Sequence, residues 1–499
     1  MRPVRLRELL AGADVVEVAG DADVEIAALA YDSRRATEGT LFFCVPGQQS
    51  DGHDFARFAV QAGAVAVVAE RPLELDPRIV QARVRDARDA MAHAAVRFND
   101  DPTAELRVAG ITGTNGKTTT AFLTRHVLES AGVPTGLLGT VKRVVGGAVE
   151  EVERTTPEAI DLQATFRRMV DAGDRACAIE VSSHALALRR TEGIRFAVAT
   201  FTNLTQDHLD FHVDMEDYFQ AKRRLFVGDR AERKVVNLDD PYGERLVAEL
   251  DCVTFSAAGD PRADYRASEV SFDASGARFR CAGPGCEELV ELPLPGRFNV
   301  ENALATISTV GALGVPLSLA AGALVSAERV PGRFEPVSEG QPFAVLVDYA
   351  HTPDSLENVL AAARQVTDGR LIAVFGCGGD RDRAKRPLMG EIGARLADLC
   401  IVTSDNPRTE DPQAIVDEIV AGIPADPRAE VRVEVDRARA IADALAGAAP
   451  ADTVVIAGKG HEQGQEVNGR KYPFDDREVA RAELRRLPGR AEGGAVSRR

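Results

Sequence analysis

The chain has little of what would take it to a membrane, to nucleic acid or to an oxidising compartment. No apolar stretch in its 499 residues approaches the roughly 20 that a bilayer span needs. Arg2, Arg5 and Arg7 imitate the charged start of a secretory signal. The apolar core that should follow is missing, because Asp14, Glu17 and Asp21 come soon after Leu9 and Leu10. A cytoplasmic protein without a membrane span is expected. Positive charge is short too: 60 Lys and Arg against 77 Asp and Glu leave a net charge of −17. Such an acidic surface excludes a general nucleic-acid binder, so an anionic ligand must be met by local basic residues. Among the seven cysteines only Cys281 and Cys286 are close, and no second pair completes a zinc site. Buried or incidental thiols in a reducing compartment are the reading. There is no internal repeat, and a monomer is expected.

What is present is an alternation of apolar strands and helices in a chain long enough for about three domains. In the first segment, 1–102, Gly39-Thr-Leu-Phe-Phe-Cys-Val-Pro46 and Ala64-Val-Ala-Val-Val-Ala69 read as buried strands, and Asn99-Asp-Asp-Pro102 is a polar break. The second, 103–335, carries strand candidates at 106–111, 176–181, 198–202 and 234–237. The third, 336–499, carries them at 343–348, 370–375, 399–403 and 453–457. Near-continuous apolar strands separated by helices imply parallel sheets covered on both faces. The expected fold is therefore α/β in three domains: a small mixed α/β N-terminal domain, a central phosphate-loop (P-loop) parallel-sheet ATPase domain, and a C-terminal Rossmann-like domain. The Arg-, Gly- and Ala-rich tail after Leu487 is expected to be disordered.

Chemistry first shows at Gly113-Thr-Asn-Gly-Lys-Thr118, between a strand and a helix. Glycines let backbone amides approach phosphate oxygens, and the helix start adds partial positive charge. Lys117 can reach the β and γ phosphates, and the Thr118 hydroxyl can ligate magnesium. Gly113, Thr114, Asn115, Gly116 and Thr119 complete the candidate ATP loop. The general phosphate-loop pattern fails at Ile111, where it requires glycine, and a shorter form replaces it. A glycine-rich turn without ligand is the bland alternative.

The short form resembles the Mur ligase family of peptidoglycan synthesis, whose relatives include folylpolyglutamate synthetases. Further segments extend the match: Glu180-Val-Ser-Ser-His184, Thr202-Asn-Leu-Thr-Gln-Asp-His-Leu-Asp210 and Tyr218-Phe-Gln-Ala-Lys222. The resemblance makes Glu180 and His208 magnesium ligands beside Thr118. It makes Lys222 a carbamate, which turns a cation into a carboxylate-like ligand. By itself a helix lysine next to Arg223 and Arg224 reads as a solvated charge. Asn299, in Pro295-Gly-Arg-Phe-Asn-Val-Glu-Asn-Ala-Leu304, matches the adenine contact, though it also suits a helix cap. Arg333 is placed on the ATP phosphates. Asp348 and His351, in Asp348-Tyr-Ala-His-Thr-Pro-Asp354, are expected near the γ-phosphate or its metal, in roles the pattern leaves open.

Two more groups of residues come from the same resemblance. Tyr31-Asp-Ser-Arg34 and Gly47-Gln-Gln-Ser-Asp-Gly52 match segments that hold uridine diphosphate, through Ser33, Gln48, Gln49 and Ser50. Thr155, Thr156, Ser182 and Arg190 match contacts to the muramoyl dipeptide. Arg154 and Leu188 depart from the pattern, standing where parts of the family have Asn and Gln. Ser404-Asp-Asn-Pro-Arg-Thr409 is a type I turn on its face. Within the family it resembles the branch that adds meso-2,6-diaminopimelate to UDP-N-acetylmuramoyl-L-alanyl-D-glutamate. Diaminopimelate carries a carboxylate that lysine lacks, and Arg408 can grip it bidentately. Asp405, Asn406 and Pro407 share that turn, and Arg386, Gly458 and Glu462 fit the same pocket.

The implied reaction is amide ligation. The γ-phosphoryl of ATP passes to the D-glutamyl side-chain carboxylate, and the diaminopimelate amine attacks the acyl phosphate, with Lys117 and magnesium offsetting charge. Closure of the third domain would exclude water. A folylpolyglutamate synthetase-like ligase and a nucleotide-driven switch or motor remain the rival readings. The first has no use for the uridine segments, and neither has a use for Arg408.

Overall fold

The computed structural model describes residues 3–47, 50–152, 154–273 and 275–487. Gln48, Gln49 and the tail beyond Leu487 lie outside the described residues, and so do the expectations placed on them. The chain divides into two compact units: residues 1–112, 128–200 and 221–234 form one, and residues 113–127, 201–220 and 235–499 the other.

The first unit holds a five-stranded sheet in the order Val15–Ala19, Val80–Val84, Ala64–Ala69, Thr40–Phe43, Ala28–Ala30. Only the first pair is antiparallel. The run expected as a strand at 39–46 is strand at Thr40–Phe43 and completely buried, because apolar cores cover both faces of the sheet. The same unit pairs Thr135–Leu138, Ala176–Glu180 and Arg107–Thr112 in parallel, Ala176–Glu180 lying in the middle. Its register sets Glu180 level with Ile111 at the carboxyl edge. Ligands of open α/β sheets bind at that edge.

In the second unit, parallel pairing carries residues 235–237 through Val253–Ser256 to Tyr265–Asp273, and antiparallel pairing then adds Gly276–Gly283 and Cys286–Leu292. These last strands escape a search for continuous apolar runs because half of their residues face water, alternating with buried Ala277, Phe279 and Cys281. Cys281 and Cys286 sit on this hairpin, one buried and one exposed, in no disulfide. The helix Arg297–Ala312 is buried along nearly its whole length from Asn299 to Val310. The third strand-rich segment forms a six-stranded sheet, Glu335–Pro336, Ala344–Asp348, Thr453–Ala457, Leu371–Phe375, Leu399–Val402, Glu430–Val433, parallel throughout except for the short first strand. Separate apolar cores pack on its two faces, the doubly wound arrangement expected. Among the described residues no helix is long and apolar enough to cross a membrane.

Candidate active site

The phosphate loop is shaped by its own backbone and by the segment Thr202–Thr205. Thr114 N donates to Asn203 O at 2.9 Å, Asn115 N to Asn203 Oδ1 at 2.8 Å, and Thr202 Oγ1 to Asn115 O at 2.6 Å. Gly116 has φ +84°, and a Cβ there would collide with Asn302 Oδ1, so conformation and space both demand glycine. Lys117 opens the helix Lys117–Ser130, and its Nζ donates to Gly113 O at 2.9 Å and Thr114 O at 2.8 Å. Those carbonyls hold the ammonium over the loop, where an arriving phosphate can take it over.

A cavity of ≈ 270 Å³ opens beside the loop, lined by Asn115, Gly116 and Thr119 and by Phe298, Glu301 and Asn302 of the buried helix. The predicted adenine contact, Asn299, is directed elsewhere: its Nδ2 donates to Pro295 O at 2.8 Å and its Oδ1 accepts from Asn302. Nor does its side chain cap the helix, whose N-cap is Gly296. Across the cavity the helix Pro353–Gln365 starts in a capping box made by Thr352 and Ser355. That start presents Asp354, whose carboxylate accepts from Asn115 Nδ2 at 2.6 Å. Burial pushes the Asp354 carboxyl above its ordinary value. Burial, with Asp239 and Asp354 nearby, pushes Glu301 up to about 7.

Arg333 reaches Thr118, Nη2 donating to Oγ1 at 2.9 Å, while its guanidinium lies 4.6 Å from the Tyr349 ring centroid. Asp348 is engaged by backbone: Oδ2 accepts from Phe334 N at 2.6 Å and Oδ1 from Ala350 N at 2.8 Å. Burial raises its pKa, against the opposing pull of Arg333 and these two amides. His351 Nδ1 donates to Tyr349 O at 2.8 Å, and burial lowers its pKa.

His208 sits in the left-handed region at φ +57°, uncommon for a residue with a side chain. Buried Asp207 braces it, Oδ1 accepting from His208 N at 2.9 Å. The Asp207 carboxylate also lies 3.3 Å from His208 Nε2, 3.8 Å from His351 Nε2 and 3.8 Å from Lys385 Nζ. Burial alone would raise its pKa, yet His208, Lys385 and His351 together hold it well below the usual carboxylate range. Asp207 falls inside the segment Thr202–Asp210 and Lys385 precedes Arg386, and the sequence pattern gives neither a role.

In the first unit the predicted peptide contacts converge. Glu180, fully buried, accepts from Thr140 N at 2.7 Å and from Thr140 Oγ1 at 3.1 Å. Thr155 Oγ1 lies 3.0 Å from the same Thr140 hydroxyl. Thr156 Oγ1 donates to Glu180 O at 2.8 Å and accepts from Ser182 N at 3.1 Å. Arg190 Nη1 donates to Thr156 O at 3.2 Å. Lys222 is 1 % exposed, which corrects the reading of a solvated charge. Ser33 belongs to the short helix Ser33–Arg35 capped by Asp32, and Ser50 is exposed.

The expected acceptor pocket is a network of buried charges. Lys459 is fully buried, its Nζ donating to Asn406 Oδ1 at 2.8 Å and Glu462 Oε2 at 2.9 Å, while Asn406 Nδ2 donates to the same Glu462 oxygen. Asp405 Oδ1 accepts from Asn406 N, and Oδ2 is buried without a hydrogen-bond partner among the described residues. Gly458 has φ +120°, and a Cβ there would come within 2.6 Å of that oxygen. Arg408, at φ +52°, donates from Nη1 to Gly379 O at 2.7 Å and lies 3.3 Å from Glu466. Arg386 departs from the picture of a ligand-facing cation. It is fully buried and bound to Glu410 at 2.8 Å and Glu418 at 2.9 Å. It braces the wall on which Gly378 O also accepts from it.

A phosphate loop with its cavity, buried carboxylates and cations around it, and a second doubly wound sheet define a nucleotide-dependent α/β ligase. The chain belongs to the Mur ligase family. The family's catalytic domain matches residues 25–111, its middle domain 111–310 and its glutamate ligase domain 332–460. The UDP-N-acetylmuramoyl-L-alanyl-D-glutamate–2,6-diaminopimelate ligase of Syntrophomonas wolfei is 46% identical over 97% of this chain and 99% of its own length. A solved structure of an enzyme of that name is 32% identical with TM-score 0.68, covering 97% of this chain and 99% of the other. Folylpolyglutamate synthase of Mycobacterium tuberculosis shares the fold at 20% identity and TM-score 0.61, but covers 74% of this chain and 92% of its own.

Proposed function

We propose that this chain uses ATP to join meso-2,6-diaminopimelate to the D-glutamate of UDP-N-acetylmuramoyl-L-alanyl-D-glutamate, a step of peptidoglycan precursor synthesis in the cytoplasm. The observation that carries the choice of acceptor is the Asp405–Arg408 turn. It combines a buried carboxylate oxygen without a hydrogen-bond partner with a guanidinium. An amino acid ending in both an ammonium and a carboxylate satisfies both; lysine would bring Arg408 no carboxylate beyond that of Glu466, 3.3 Å away.

In this reading Lys117 moves from the loop carbonyls to the β and γ phosphates and offsets charge as the γ-phosphoryl passes to the D-glutamyl side-chain carboxylate. The amine of diaminopimelate then attacks the acyl phosphate, and the tetrahedral adduct collapses to amide and phosphate. Arg333 steadies the triphosphate, and Asn302, Glu301 and Phe298 wall the base. Thr155, Thr156, Ser182 and Arg190 hold the muramoyl dipeptide. Magnesium supplies Lewis-acid stabilisation of the phosphates when bound. Its ligand roles are assigned by resemblance to Thr118, Glu180, His208 and Lys222 as a carbamate. The buried carboxylate of Glu180 suits a hard cation, and a lysine as buried as Lys222 is a better substrate for carbamoylation than a solvated one. The test is ADP release with each substrate omitted in turn. Release must require both the nucleotide peptide and diaminopimelate, and equal use of lysine would end the acceptor assignment.

A further inference from the structure

Glu158 is a carboxylate that no part of the reaction above uses. It is buried to 5 % exposure at the residue preceding the helix Ala159–Asp171, and its side chain does not cap that helix. Three guanidinium groups converge on it instead: Arg190 Nε at 2.9 Å, Arg88 Nη1 at 3.1 Å and Arg154 Nη1 at 3.2 Å. Arg190 and Arg88 are largely buried and Arg154 is half exposed, so one carboxylate faces two buried positive charges and a third at the rim. Burial, with Arg154 and Arg88 beside it, lowers the Arg190 pKa against the pull of Glu158. The cluster therefore carries net positive charge that favours an anion at its rim.

The arginines come from different parts of the chain and lead to different places. Arg190 reaches Thr156 O. Arg88, in the helix Ala87–Phe98, donates from Nη2 to Pro46 O at 3.2 Å, the residue just before the segment Gly47–Gly52 matched to uridine diphosphate. One turn on, Asp161 repeats the device: it accepts from Tyr31 OH at 2.7 Å and from Arg35 Nη1 at 2.9 Å, on the other uridine-matched segment. A cavity of ≈ 730 Å³ is lined by Tyr31, Arg35, Arg154, Thr155, Glu158 and Asp161 among others. Arg154, the departure from the family pattern, takes its place in this cluster.

We infer that Glu158 and Asp161 are positioning residues of the nucleotide-sugar-peptide site. Glu158 orients Arg190 and Arg154 towards the carboxylates of the bound peptide. Through Arg88 and Tyr31 the two residues set the uridine segments at a fixed distance from it. The inference rests on the substrate reading proposed above. It explains why a helix start lacking a side-chain cap carries two acidic residues three apart.

The test is steady-state kinetics of the full chain with Glu158→Gln, Glu158→Asp, Arg88→Gln and Asp161→Asn. Glu158→Gln should raise KM for the nucleotide peptide about tenfold or more while KM for ATP and for diaminopimelate stays within about twofold. Glu158→Asp should recover part of that loss. Arg88→Gln and Asp161→Asn, which leave the peptide-facing arginines paired, should weaken inhibition by uridine diphosphate alone. If Glu158→Gln does not fold, Arg88→Gln and Asp161→Asn decide. Unchanged KM and unchanged uridine diphosphate inhibition in the folded variants overturn the inference, and so does an equal fall in kcat with all three substrates. A wild type that never turns over the nucleotide peptide overturns the substrate reading instead.

Discussion

In the phosphate loop the chemistry rests on backbone and one lysine: carbonyls three and four residues away hold the lysine, and the segment Thr202–Thr205 holds the loop. In the Asp405–Arg408 turn it rests on side chains, held by other buried side chains from 50 or more positions distant, as in the pairing of Asn406 with Lys459 and Glu462. The loop's precision comes from steric necessity, glycine at Gly116 and a helix start at Lys117. The turn's precision comes from charge: every oxygen of Glu462 and Asn406 that the network uses is already taken by a named donor. A backbone-built site tolerates replacement of its surroundings and fails when its own residues change. A charge-built site can be undone from behind, because removing one member leaves its partners buried and uncompensated.

That contrast can be broken most sharply at Lys117. Lys117→Ala should lower kcat/KM by about 10³-fold or more while leaving the melting temperature nearly unchanged, since its partners are loop carbonyls open to other donors. A large stability loss would show that the loop, too, is charge-built. Next, Arg408→Ala should cut the preference for diaminopimelate over lysine by about 10²-fold or more, read as the ratio of the two kcat/KM values. A preserved ratio would put the discrimination elsewhere. Third, Arg386→Met should destabilise the fold by about 3 kcal/mol in denaturant titration, because Glu410 and Glu418 lose a fully buried partner. Arg386 holds Glu410 down to about 2. The stabilisation is thus present above 4.5, the ordinary value, and lost as pH falls towards 2; in Arg386→Met this acid-side slope should vanish.

The smallest effect belongs to the nucleotide cavity. Glu301, raised from 4.5 to about 7, stabilises the fold fully below pH 4.5, and that contribution is lost as pH rises through 7. Glu301→Gln should flatten the dependence of melting temperature on pH in that window. An unchanged slope would mean that Glu301 is solvated and that the cavity wall carries its charge freely.

Much of this site was legible in one dimension because its residues cluster at strand ends. The segments that open at Glu180, Thr202, Asp348 and Ser404 each follow or end a strand, and strand ends are where an α/β sheet offers ligand-facing residues; Tyr218–Lys222 lies on a helix instead. The boundaries shifted by a few residues, and the polar antiparallel strands Gly276–Gly283 and Cys286–Leu292 gave no continuous apolar signal. Residue roles were harder. Arg386 and Asn299 carry the right chemistry for a ligand, and their chain neighbours do not reveal that Glu410, Glu418 and Pro295 O engage them. Lys222 looked solvated beside two arginines and is buried. Asp207, Lys385, Lys459 and Glu158 lay in or beside motifs and attracted no role, since a single charged residue has no period to betray it.

The amino-acid sequence alone determined the architecture, the family, the phosphate loop and the Asp405–Arg408 turn beyond a strand end, because periodicity, glycine placement and short motifs are properties of neighbouring residues. Only the tertiary structure decided how deeply each charge is buried and which carboxylates meet it. A guanidinium is the same group in both places; what separates partly exposed Arg408, beside Glu466, from fully buried Arg386 is the pair of carboxylates, Glu410 and Glu418, that folding brings to it, and the cost of burying a charge without them.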